Sequence, residues 1–205
     1  MKRLLILSAV LAMWAHSGQA AIIMSLDGIA PQPGSPGVWN WVYRASLQPD
    51  QSMLEQDFFT IYDFPAISLG DVSFGASLSP AVAGRSFATN VQGLGIDAPG
   101  TAIPDDAGIP NVTVRLTGGG TIDPADDPGP GTVTLGTLII QAATNLADPQ
   151  TSFYGALSHV TDNGLPSSDV GSIPVAIPEA RTVTLMIAGL IAIGALSVRR
   201  RRQFD

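Results

Sequence analysis

Few side chains in the body of this sequence are equipped for bond-making chemistry. Between residues 21 and 178 there is one histidine, His159, with no lysine and no cysteine. A Ser-His-Asp triad would have to use His159 as its base, yet no G-x-S-x-G turn precedes it. The expectation is a strand histidine at a partly exposed position. Aspartates are plentiful enough for the paired carboxylates of glycoside hydrolysis, but half of them lie directly beside Pro or Gly, where Asp serves turn geometry. Calcium suits the oxygen-rich loops holding Asp105-Asp106 and Asp123, Asp126 and Asp127, although neither stretch has the D-x-D-x-D-G spacing of a calcium loop. Asp123, Asp126 and Asp127 are the metal candidates, and the expectation is no cofactor.

Three further stretches invite a functional reading. Gly118-Gly119-Gly120 and Gly93-Leu94-Gly95 could pass for nucleotide loops, but no helical pattern follows either of them, as a phosphate cradle requires. Asn111-Val112-Thr113 fits a glycosylation sequon and reads as the start of a strand. Trp39 and Trp41, two residues apart, share one face of a strand, so their indoles either stack sugar rings or enter the core. Tyr43 and Leu47 continue that face, which favours the core.

The elements that position these residues are strands. Short runs rich in β-branched and aromatic residues alternate with Gly and Pro signals, the pattern of an all-β, antiparallel sandwich of about 7–9 strands. The run 38–48 places Trp39, Trp41, Tyr43, Ala45 and Leu47 on a buried face; 57–64 is apolar on both faces and central. Runs 72–78, 111–117 (Val112, Val114 and Leu116 inward), 132–141 and 152–160 follow, with a final strand after Ser167. The Pro- and Gly-rich stretches 31–37, 98–110 and 123–131 are loops, and 98–110 is long enough to be mobile.

Charge and composition narrow the function. From 21 to 178 three arginines (Arg44, Arg85, Arg115) stand against fifteen carboxylates, a formal charge of −12. That balance repels phosphate backbones and disfavours nucleic acid as a partner. The missing cysteines remove thiol nucleophiles, thiolate metal sites and haem attachment.

Both ends carry addressing features. Lys2 and Arg3 precede an apolar run from Leu4 to Ala15, and Gly18-Gln19-Ala20 sets small residues at a cleavage site, so residues 1–20 read as a signal peptide cut between Ala20 and Ala21. Residues 182–198 are uncharged; as a helix they reach about 25 Å, slightly less than a bilayer core of about 30 Å. Arg199, Arg200, Arg201 and Arg202 would stay cytoplasmic, leaving the body 21–176 outside.

Pro178-Glu179, the apolar span 182–198 and the arginines 199–202 together resemble the PEP-CTERM sorting signal of Gram-negative bacteria, over residues 177–205. The third motif position is Ala180, where that family usually has proline. The resemblance implies recognition, and apparently cutting, by an exosortase-type membrane protease after a transient single membrane span. It also implies a setting among biofilm-forming bacteria that make exopolysaccharide. The stretch from Trp41 to Phe64 is similar to the ectodomains of other small PEP-CTERM proteins. The expectation is an exported, non-enzymatic protein of the cell envelope, outer surface or extracellular matrix, structural or exopolysaccharide-associated. The alternatives are a carbohydrate-binding module using Trp39 and Trp41 and, third, a secreted hydrolase.

Overall fold

The computed structural model describes residues 21–176 apart from 66, 129 and 130. The signal peptide 1–20 with Ala20, the motif Pro178-Glu179-Ala180, the span 182–198 and Arg199 to Arg202 lie outside the described residues. Among the described residues no helix is long and apolar enough to cross a membrane.

The fold is all-β, with ten strands among the described residues: β1 (Ile22–Pro31), β2 (Trp39–Leu47), β3 (Gln51–Ser52), β4 (Phe58–Ile61), β5 (Ile67–Ala76), β6 (Ser86–Gln92), β7 (Asn111–Gly118), β8 (Val133–Ala142), β9 (Ala147–Val160) and β10 (Pro166–Ala176). They form two antiparallel sheets, consistent with the expected sandwich, although the ten strands exceed the expected 7–9. One has the order β1-β2-β8-β5; the other has β10-β9-β4-β7-β6, with the short β3 also pairing to β9.

Period-two alternation puts one face of each strand into the core between the sheets. From β2 come Trp41, Tyr43, Ala45 and Leu47, from β7 Val112, Val114 and Leu116, all 0% exposed. Phe59 and Ile61 of β4 and Leu138 and Ile140 of β8 join the same cluster. All four residues of β4 are buried, as a central strand requires. Phe64, just beyond β4, stands edge-on to the Trp41 ring at 5.7 Å, a preferred aromatic geometry.

Three strands have no counterpart among the runs picked out by alternation. In β1 the pairing with β2 shifts register between Leu26 and Gly28, so the period breaks halfway along. β3 has two residues. β6 ends its sheet, and only Phe87 and Val91 of its side chains pack against the core.

Candidate functional site

The outward face of β4, β7 and β9 lacks ordinary cover. Thr60 and Thr113 bond to one another through their hydroxyls at 2.8 Å, and Gly155 beside them has no side chain. Chain from the loop 93–110 fills this strip. Ile103 reaches Gly155, and the Ser168 hydroxyl on β10 donates to the Pro99 carbonyl at 2.7 Å. The loop therefore crosses the sheet as a strap from β6 to β10 and returns to β7. The loop, long enough by its sequence to be mobile, is held in this structure by three buried or half-buried polar side chains.

Those side chains are Tyr62, Asn111 and Asp105. Tyr62 donates to the Ile96 carbonyl at 2.8 Å and to Asp97 at 3.0 Å. Burial, and then the Asp97 and Asp105 charges, push its phenol well above the usual range. Asn111 accepts from the Asp63 N–H at 2.7 Å and donates to the Gly93 carbonyl and to Asp105. Asp105 also accepts from the Gly95 N–H at 2.7 Å. The sequon asparagine thus begins β7, fully buried, with its amide occupied inside the fold. Asp63 adopts φ +46° and accepts from the Asp106 N–H at 3.0 Å. Burial chiefly, with the Asp105 and Asp106 charges adding to it, raises its pKa against the pull of that N–H.

Beside the strap the outward face of β6 and β7 remains open as a groove of about 350 Å³. Asn90 and Gln92 line it from β6, Thr113, Arg115 and Thr117 from β7, with Gln56 at one margin. Ile96 of the strap forms part of its wall. Sequence reasoning passed over this groove: β6 gave no strong alternation, and its polar side chains became a surface only once β7 lay beside them.

The residues singled out from sequence fall elsewhere. Trp41 is 0% exposed and donates its indole N–H to the Thr144 carbonyl at 2.9 Å; Trp39 packs half-buried against the same core. Trp41, inside the sandwich, offers no ring face to a ligand, so the two indoles do not form a joint stacking platform. Asp123, Asp126 and Asp127 shape a turn: Asp123 caps the 3₁₀ segment Pro124–Asp126 by accepting from the Ala125 N–H at 2.9 Å. Among the described residues no three of His, Cys, Asp and Glu gather closely enough to hold a metal ion. Ala21 is buried, and its carbonyl accepts from the Gln48 N–H at 3.0 Å.

His159, on β9, gains a partner that its sequence neighbourhood does not suggest. Its Nδ1 lies 2.9 Å from Oδ2 of Asp57, which is 3% exposed and also accepts from the Leu54 N–H. Burial raises the Asp57 pKa, and the Leu54 N–H and His159 oppose that rise. Among the described residues no hydroxyl bonds to the imidazole; Ser52 donates to the His159 backbone carbonyl instead. A histidine and a carboxylate without a nucleophile tie the β3–β4 connection to β9. No family model matches this chain, and no curated protein sequence does.

Proposed function

We propose that this is an exported protein of the bacterial cell envelope or extracellular matrix, non-enzymatic and structural or exopolysaccharide-associated in role. It is addressed at its N-terminus by the signal peptide and at its C-terminus by a PEP-CTERM-like tail cut by an exosortase-type protease. One observation supports the reading most. The leader with its cleavage site at Ala20-Ala21 and the sequence Pro178-Glu179, uncharged run 182–198 and Arg199 to Arg202 stand in the order that such a doubly addressed protein requires. The ten strands among the described residues all lie between the two signals, so processing at both would leave them intact. The expected −12 charge of the released body suits a soluble extracellular protein.

Intact-mass measurement on protein from the envelope and culture fractions tests this. The expected species begins at Ala21 and lacks residues 181–205. A dominant species that retains them would make the tail an ordinary membrane anchor and end the sorting reading.

A further inference from the structure

We infer that the groove on β6 and β7 binds a single acidic sugar residue, a uronate, through Arg115. The inference extends the matrix reading above to a ligand but stands on a separate observation, the chemistry of the groove. Arg44 is paired with Asp27 at 2.8 Å, and Arg85 donates to the Gly119 carbonyl. Among the described residues Arg115 bonds only to the neutral Gln56 amide oxygen, at 3.3 Å, and the side chains lining the groove include no carboxylate. In a body with fifteen carboxylates, a guanidinium that pairs with none among the described residues has its fork of N–H donors available for an incoming one.

The rest of the lining selects what carries that carboxylate. Asn90 donates to the Gln92 amide oxygen at 2.8 Å, which fixes both amides and leaves the Asn90 oxygen and the Gln92 N–H₂ to face outward. With the exposed Thr117 hydroxyl, which donates to the Ser86 carbonyl and keeps its acceptor lone pairs, they form a rank of mixed donors and acceptors, suited to a row of sugar hydroxyls rather than to an apolar ligand. A volume of about 350 Å³ is at the small end of ligand sites, enough for one or two pyranose rings. The body's negative charge sets a limit: a polymer acidic at every residue is repelled as a whole, so the fitting occupant is one uronate, free or flanked by neutral sugars.

The test is titration calorimetry on the purified exported protein with glucuronate, glucose, acetate, an aldobiouronic acid and polygalacturonate. Glucuronate should bind at least about tenfold more tightly than glucose or acetate, and Arg115→Gln should erase that preference. Arg115→Lys should keep part of it, and Asn90→Ala should weaken glucuronate and glucose alike. Tighter binding of the aldobiouronic acid than of glucuronate identifies a chain-borne residue; equal binding identifies the free sugar acid. Polygalacturonate should bind no more tightly per residue than glucuronate. Equal affinity for glucose and glucuronate, acetate binding as tight as glucuronate, or an Arg115→Gln protein that keeps its folded spectrum and full preference overturns the assignment. Calorimetry on purified protein is independent of processing in the cell, so either reading can fail while the other stands.

Discussion

Gly155 of β9 lies beneath Ile103 of the strap, and a Cβ built on Gly155 would stand 2.7 Å from Ile103 Cδ1 and 3.2 Å from the Tyr62 ring. The absence of one side chain is therefore what seats another, 52 residues away in sequence. Gly155→Leu should lift the strap while leaving the core between the sheets in place. Limited proteolysis should then cut within 96–108, where the wild type should resist. Ile103→Ala should loosen the same segment and lower stability by about 2 kcal/mol, the low end for this truncation. Unchanged proteolysis in Gly155→Leu would mean that the strap is held without this seat.

The two tryptophans of the body should behave differently. In Trp39→Phe, the remaining Trp41 emission from protein lacking its leader should be blue-shifted and resist acrylamide, because the indole is 0% exposed. Trp41→Phe should lower stability by about 1–3 kcal/mol in urea unfolding, since the Thr144 carbonyl loses its buried donor. Ready quenching in Trp39→Phe would restore Trp41 to the surface.

Asp63 gives the strap a pH dependence. Its folded-state pKa is raised above the ordinary 3.8, so the folded chain binds this proton more tightly than the unfolded chain does. Its contribution to stability is therefore greatest below 3.8 and falls as pH rises through the folded pKa. Asparagine keeps an acceptor for the Asp106 N–H, tolerates φ +46° and removes repulsion from Asp105 and Asp106. Asp63→Asn should raise the Tm at pH 7, and the gain should shrink as pH is lowered toward 3.8. A gain of equal size at both ends of that range would locate its cause elsewhere.

Glu179 is the position on which the sorting proposal turns. Pro restricts the backbone of the residue before it, so on this proposal a span beginning after the motif would leave Glu179 at the outer membrane boundary, since a carboxylate sinks further only at a cost of a few kcal/mol. On the same proposal Arg199 to Arg202 would oppose sliding from the other side. Glu179→Gln should insert normally yet accumulate full-length in the membrane fraction. Processing as efficient as that of the wild type would leave the plain anchor as the better reading.

Alternation along the chain by itself determined which faces of β2 and β7 are buried and that β4 is central, because a pleated strand turns every second side chain to the same side. It also separated loops from strands, since Pro removes a ladder donor and Gly admits positive φ. It left the buried side of Trp39 and Trp41 open between two readings, and burial of Trp41 chose one of them. β1 was hidden by a bulge that resets the period, and β6 by the polar outer face of an edge strand. The strap and the groove belong wholly to tertiary structure. Tyr62 reaches Asp97, Asn111 reaches Asp63, and Asp57 meets His159 across separations of 35, 48 and 102 residues. No local pattern records such pairs, because each side chain finds its partner only after the sheets have brought distant strands side by side.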